Sequence, residues 1–278
     1  MNEKQQKIFL KITTILLYIL IGIAVIKYYY YYSNYNSNYY YYFKNENIEN
    51  FEINPEIPKV IYLSYKNKNI PDYIINNWKK LYPDYEVKLY DNNDCIEFLK
   101  NNFGNEGDKY VDIFNYIKDG PIKADFWRVC VLYKNGGIYS DIDVEPLVNV
   151  NEIIDKDTSF FTSTSFNKDS LNPHFIVSPK EHIVLKKCID KYLEMYKNKI
   201  EYSYWGWSIV TIMKEVFFEI FKKYLNTDGV YFADNKKYQM LKEVLPEGKT
   251  ENVYCEYQGK RILNNRYNEY DPDKHQFK

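Results

Sequence analysis

Two carboxylates one residue apart, Asp141 and Asp143, close an apolar stretch that follows the double glycine Gly136-Gly137. Carboxylates at the end of a buried strand are costly unless positive charge lies beside them. Their hard oxygens suit Mg²⁺ or Mn²⁺, and such an ion can carry a diphosphate. Alternate residues of a strand share a face, so Tyr139, Asp141, Asp143 and Glu145 point one way and Ile138, Ser140, Ile142 and Val144 the other. The carboxyl end of a strand is where open α/β sheets bind ligands. One helix upstream, Asp125 and Arg128 are three apart and share a face. By spacing alone that pair describes a surface ion pair worth a few tenths of a kcal/mol.

The elements that must position these residues read as alternating strands and helices. Val60, Ile61 and Leu63 make a strand-length apolar run bounded by Pro58 and the polar stretch 66–69. Pro71 or Asp72 opens a helix carrying Ile74, Ile75, Trp78 and Leu81 at helical spacing, and Pro83-Asp84 ends it. Residues 85–90 alternate as a second strand. Asp94 suits the cap of the next helix, which Gly104 stops. Residues 107–116 read as a loop with a helical turn. Pro121 opens the helix of Asp125 and Arg128, with Ala124, Trp127 and Val131 on its buried face. This order predicts a parallel sheet with right-handed crossovers. Further on, strands are expected near 160–162 and 174–177, helices over 181–196 and 208–224, and a hairpin within the last segment. Tyr204-Trp205-Gly206-Trp207 suits either a sugar-stacking wall or a core plug. Arg261, Arg266 and Lys274 are candidates for phosphate contact.

The chain has 278 residues and a net charge of -1, so its charge gives no reason to expect a nucleic-acid partner. Its 32 tyrosines accompany many Asn, Ile and Lys, a bias expected of AT-rich codons rather than of function. Cys95, Cys130, Cys188 and Cys255 are widely spaced, with no CxxC, which argues against a structural zinc site. Cys130 sits in an apolar helical run as a buried thiol. Ile12 to Ile26 carries no charge; extended to Tyr32 it reaches the roughly 20 residues that cross a bilayer. Lys4, Lys7 and Lys11 precede it, and no small-residue cleavage site follows. The expectation is a cytosolic tail (1–11), a signal-anchor helix (12–32), a polar stem (33–56) and a lumenal or extracytoplasmic catalytic domain (57–278), a single-pass type II arrangement.

The order IPKVIYLSYK, then NNWKKLYPDYEVKLYD, then IKADFWRVCVLYKNGGIYSDIDV resembles the glycosyltransferases with the DXD sugar-binding region, the family 32-like group. That group includes the yeast-type initiating α-mannosyltransferases and the Golgi α-1,4-galactosyl and N-acetylglucosaminyl transferases. The catalytic domains of clostridial glucosylating toxins are similar here. The resemblance covers about Pro58 to Leu147. It implies the GT-A fold, a Rossmann-like, mostly parallel sheet flanked by helices, and transfer of a hexose from a nucleoside-diphosphate sugar with retention of configuration. It implies an acceptor hydroxyl on a glycan, lipid or protein.

Carried over residue by residue, the resemblance makes the first strand, with Tyr62, Leu63 and Ser64, the wall of the nucleotide pocket, largely through backbone groups. Asp125 and Arg128 would hold donor-sugar hydroxyls, and Tyr139 the sugar or β-phosphate. Asp141 would bind hydroxyls and reach the metal directly or through water, and Asp143 would be the direct ligand of Mn²⁺ (or Mg²⁺). His275 is a further candidate ligand. The His and Trp usual in the first-strand motif are here Tyr62 and Tyr65, which bears on base identity. A phosphatase of the DxD type fits poorly, because Asp141 lies far from the first strand. The non-enzymatic alternative is an inactive, membrane-anchored sugar-binding module.

Overall fold

The computed structural model describes residues 57–246, 253–271 and 273–278. The expected tail, anchor helix and stem lie outside the described residues. Among the described residues no helix is long and apolar enough to cross a membrane.

β1 (Val60–Ser64) sends Ile61 and Leu63 into the core and pairs in parallel with β2 (Glu86–Tyr90). Between them α1 (Asp72–Leu81) buries Ile74 and Trp78, as their spacing predicts, with Pro71 at its N-cap and Asp72 in its first turn. α2 (Asn92–Asn102) starts earlier than expected. Its cap is Asp91, which accepts from the Asn93 and Asp94 amides, and Asp94 returns a bond to the Asp91 amide. Asp94 is thus the second half of a capping box and not the cap. α3 (Gly107–Tyr116) is a full helix where a loop with a turn was expected. Gly107 is a packing glycine there, since a Cβ would lie 2.2 Å from the Lys100 carbonyl oxygen.

α4 (Gly120–Asn135) buries Asp125, Phe126, Trp127 and Arg128 in succession, so it is covered almost all round. Gly136 and Gly137 then turn the chain with φ of 66° and 107°. Side chains are excluded at both: a Cβ on Gly136 would meet the Lys180 amide at 2.6 Å, and one on Gly137 the Val60 carbonyl at 2.7 Å. The turn delivers β3 (Gly137–Ser140) to β1 in parallel, Tyr139 beside Tyr62.

The chain continues through β4 (Glu145–Pro146), β5 (Thr158–Thr164), β6 (Phe175–Ser178), α5 (Ile183–Lys197), α6 (Tyr204–Trp207), α7 (Ile209–Phe221), β7 (Gly229–Ala233), β8 (Lys236–Val244), β9 (Tyr254–Tyr257), β10 (Lys260–Asn264), β11 (Tyr270–Asp271) and β12 (Gln276–Phe277). The main sheet runs β2-β1-β3-β6-β5-β8-β9-β10-β4, with β7 on β8, in a mixed α/β architecture. Parallel pairing holds for β2-β1-β3 and returns at β5-β8; the other pairs are antiparallel. The expected parallel unit therefore forms one end of the sheet. Its other end contains tight hairpins at Asp234-Asn235 and Gln258-Gly259, which are too short for a parallel crossover. Two apolar cores contain the main buried groups, one built around α4, α5 and α7 and the other around α1 and β10. All four cysteines are buried and free.

Candidate active site

Arg128 is the hub. Its Nη2 lies 2.6 Å from Asp125 Oδ1 and 2.8 Å from Asp141 Oδ1. Nη1 donates to the Pro173 carbonyl at 2.6 Å and Nε to the Ala124 carbonyl at 3.4 Å. The guanidinium stacks 4.6 Å from the centroid of the Tyr139 ring. Tyr139 in turn donates its hydroxyl to Asp141 Oδ1 at 2.9 Å and shares a hydrogen bond with Ser64 Oγ at 3.3 Å. The ends of β1 and β3 and the middle of α4 are thereby tied into one unit. The Asp125–Arg128 pair is far from the exposed pair that spacing alone describes: both residues are over nine-tenths buried. The other oxygen of Asp125 accepts from the Ile209 amide at 3.0 Å and from Ser208 Oγ at 3.3 Å, at the start of α7.

β3 stops at Ser140, and Asp141 to Val144 forms a turn closed by the Val144 amide on the Asp141 carbonyl at 3.2 Å. Ile142 and Val144 still enter the core, so the predicted two-sidedness persists beyond the strand. The Asp141 amide donates to the His174 carbonyl at 2.8 Å, and the Asp143 carbonyl accepts from the Tyr267 amide at 3.0 Å.

These carboxylates open on a cleft of about 280 Å³, whose walls include Ser64, Tyr65, Lys66, Lys123, Arg128, Arg266, Tyr270 and His275. Four lining cations, Lys66, Lys123, Arg128 and Arg266, face Asp141 and Asp143. That excess of positive charge suits a ligand carrying several negative charges. Burial pushes Asp125 up to about 6, with Arg128 pulling the other way. Burial also raises Asp141 against the pull of Arg128. For Arg128, burial opposes the charge, but Asp141, Tyr139 and Asp125 outweigh it and hold the guanidinium protonated. Burial, reinforced by the Asp141 charge, pushes Asp143 up to about 7, and Arg266 and Arg128 do not offset it. An under-compensated carboxylate facing a cleft fits a cation. Among the described residues no group of three or more His, Cys, Asp or Glu forms a closed metal cage. Two carboxylates with open positions fit Mg²⁺ or Mn²⁺, which keep room for phosphate and water.

The candidate residues fare differently. Asp125, Arg128, Tyr139, Asp141 and Ser64 are joined by hydrogen bonds and ion pairs, and Asp143 lies with Asp141 on the cleft. His275 is exposed on the rim, its carbonyl accepting from the Tyr65 hydroxyl at 3.3 Å. The side chains of Tyr62 and Leu63 face the core. Tyr62 packs on Tyr90 and Trp127, so a direct side-chain contact with a bound base is closed to it; Tyr65 and Lys66 occupy the cleft wall instead. Of the phosphate candidates, Arg266 lines the cleft. Arg261 stacks on Tyr254 at 4.3 Å, and Lys274 pairs with Asp271 at 3.5 Å. Sequence reasoning did not find Lys66, Lys123 or Tyr270. Nor did it find Ser208, Ile209, Pro173 and His174, three of which act through backbone groups that leave no mark in side-chain identity.

Residues 71–160 match the family described as "Glycosyltransferase sugar-binding region containing DXD motif". This stretch, about a third of the chain, is similar to that region. It holds Asp125, Arg128, Tyr139, Asp141 and Asp143. The initiation-specific α-1,6-mannosyltransferase of Schizosaccharomyces pombe is 30% identical over 106 residues, 37% of this chain and 26% of the relative. Inositol phosphoceramide mannosyltransferase 3 of the same yeast is 33% identical, over 36% of this chain and 29% of the relative. An uncharacterized glycosyltransferase, L373, of Acanthamoeba polyphaga mimivirus is 33% identical over 78 residues, 28% of this chain and 30% of the relative. The chain spans under a third of the length of these curated relatives. A solved structure described as "PaToxG Glycosyltransferase" aligns with a TM-score of 0.48 and 15% identity over 59% of this chain and 70% of that one, a likeness too slight to carry weight.

Proposed function

We propose that the cleft binds a nucleoside-diphosphate sugar in a GT-A arrangement and transfers its hexose to an acceptor hydroxyl. The observation that carries this is the Asp125–Arg128–Asp141 unit, braced by Tyr139, at the carboxyl ends of two parallel strands, with Asp143 under-compensated beside it. Lys66, Lys123 and Arg266 line the volume a diphosphate would fill. Arg128, on the cleft wall, would orient sugar hydroxyls, and the buried Asp125, whose oxygens are taken up by Arg128, Ser208 and the Ile209 amide, fixes its guanidinium instead of reaching the donor itself. Asp143, with Asp141, would hold a Mn²⁺ or Mg²⁺ ion, which when bound supplies Lewis-acid stabilisation of the departing diphosphate.

In the reaction the bond from the anomeric carbon to the β-phosphate oxygen breaks, and a bond from that carbon to the acceptor oxygen forms. The acceptor's proton passes to the departing phosphate oxygen. The two carboxylates among the cleft-lining residues, Asp141 and Asp143, already have other roles, which leaves no spare nucleophile for a covalent glycosyl intermediate. Given the retention that the family resemblance implies, attack on the face the diphosphate leaves is therefore the favoured course. The domain would act on the lumenal or extracytoplasmic side of a membrane, anchored by residues 12–32. The names of the mannosyltransferase relatives favour a mannosyl donor.

The test is a screen of UDP- and GDP-linked hexoses for release of nucleoside diphosphate, with Mn²⁺ and with chelator. Release should require the ion and be lost in Asp143→Ala. A wild-type chain that hydrolyses and transfers none of them would overturn the reading in favour of a non-enzymatic sugar-binding module.

A further inference from the structure

The tryptophans flanking Gly206 part company in the fold. Trp207 is fully buried, packed on Tyr116, Tyr192 and Tyr202, with its Nε1 donating to the Glu201 carbonyl at 3.3 Å. It is the core plug. Trp205 is 68% exposed, the most exposed of the large hydrophobic side chains among the described residues. An indole left in water forgoes a large apolar gain, which a bound partner can recover.

The segment bearing Trp205 is tied to the donor cleft on both sides. Before it, Tyr202 Oη donates to Asp119 Oδ2 at 2.5 Å, and Asp119 leads directly into Gly120 and Pro121 of the cleft wall. After it, Ser208 Oγ and the Ile209 amide hold Asp125. Tyr204 stands between, its ring meeting that of Trp205 edge-on at 5.2 Å. Burial, reinforced by the Asp125, Asp119 and Asp141 charges and opposed by Arg128, raises its phenol. Tyr116, itself 38% exposed, continues the aromatic surface 6.3 Å from Tyr202. The result is a shelf of rings with polar tips next to the cleft wall, fixed through the same carboxylate that holds Arg128.

We propose that Trp205, with Tyr204 beside it, is the acceptor subsite. It would stack on the apolar C–H face of a pyranose whose hydroxyl then points at the donor's anomeric carbon. A sugar suits this shelf better than an acyl chain. The rings carry hydroxyl and indole N–H donors, and Glu201, Ser203 and Lys118 stand exposed around them, ready for hydroxyl groups. The inference deepens the reading of the cleft as a donor site and rests on it.

The test uses the full chain and its Trp205→Ala and Trp205→Phe variants, with two readouts. One is hydrolysis of the donor without acceptor. The other is saturation-transfer NMR binding of methyl α-D-mannopyranoside and methyl α-D-glucopyranoside. Donor hydrolysis should be the same in all three proteins. Glycoside binding should weaken roughly tenfold in Trp205→Ala, the size of one aromatic stacking contact, and recover in Trp205→Phe. Unchanged binding in Trp205→Ala, or no binding of either glycoside to the wild type, would overturn the subsite while leaving the donor reading intact. So would loss of binding to phosphatidylinositol vesicles in Trp205→Ala with glycoside binding unchanged, which would make the shelf a membrane contact. Trp205-dependent glycoside binding in a chain that hydrolyses no donor would support the subsite and overturn the donor reading.

Discussion

Replacing Arg128 by Met removes the cation that Asp125 and Asp141 share while keeping most of the side-chain volume. Both ion pairs are short, at 2.6 and 2.8 Å, and the Arg128 side chain is 4% exposed. Removing one partner of a buried pair typically costs about 3–5 kcal/mol, because an uncompensated charge stays behind. That is a large part of the roughly 5–15 kcal/mol that holds a domain folded. The sign with pH follows from the carboxylates. Asp125 and Asp141 are already raised by burial with Arg128 present, and without it they rise further. A carboxyl whose folded-state pKa lies above its unfolded value binds its proton more tightly when folded. Its ionisation therefore lowers stability as pH climbs from about 4, and acid relieves the penalty at roughly 1.4 kcal/mol per pH unit per group. Urea unfolding in chelator, at about pH 7.5 and about pH 5, should show Arg128→Met losing about 3–5 kcal/mol at the higher pH and markedly less at the lower. Adding Asp125→Asn should recover part of the loss, so the double mutant falls short of the sum. A loss below about 1 kcal/mol near pH 7.5, or an equal loss at both pH values, would refute the reasoning.

Two further outcomes follow from buried groups away from the carboxylates. Tyr62→Phe keeps the ring packed on Tyr90 and Trp127, so it should cost no more than about 1 kcal/mol and leave the preference between UDP- and GDP-linked donors unchanged; a shifted donor ratio in kcat/KM would return Tyr62 to the base pocket. His182 caps α5 by accepting from the Val184 amide at 3.3 Å, and burial together with Lys236 depresses it to about 3. The group is neutral in both states above about pH 6.5, so its contribution is complete there and is lost as pH falls toward 3, at about 1.4 kcal/mol per unit. His182→Asn keeps a capping acceptor and should flatten the acid limb of the denaturant midpoint by that slope; an unaltered limb would show that His182 is not the group titrating.

The site was legible where side-chain identity and local spacing carry it. Gly136-Gly137, the apolar run after it and the Asp141/Asp143 pair gave the strand, the turn and the direction of the carboxylates. Asp125 and Arg128 were legible as a pair, but three-residue spacing looks the same on a buried helix as on a surface one. Only the resemblance marked them as ligands, and their burial depends on α5 and α7, which arrive much later in the chain. α3 was obscured by glycines at its start, one of which is there for contact with Lys100 and not as a breaker. The antiparallel half of the sheet was obscured because β8, KKYQMLKEV, is buried on both faces in its middle and so lacks alternation.

The part of the site that local patterns could not reveal is its suspension. Glu243, 3% exposed at the end of β8, accepts from Ser165 Oγ at 3.1 Å and the Phe166 amide at 3.0 Å on one oxygen. Its other oxygen takes Asn172 Nδ2 at 2.6 Å and the Asn265 amide group. One buried carboxylate thus gathers two loops. The first ends in the Pro173 carbonyl that holds Arg128 and the His174 carbonyl that holds the Asp141 amide. The second continues to Arg266 on the cleft wall and to the Tyr267 amide on the Asp143 carbonyl. Burial raises Glu243 despite its four partners, so its charge costs stability that an apolar residue in the same place would not. What the charge provides is a single acceptor group for both loops, which an apolar residue cannot supply. Asp141 and Asp143 are therefore aimed from both sides: by β3, which leads into the turn that carries them, and by loops fastened to Glu243 about a hundred residues later in the chain.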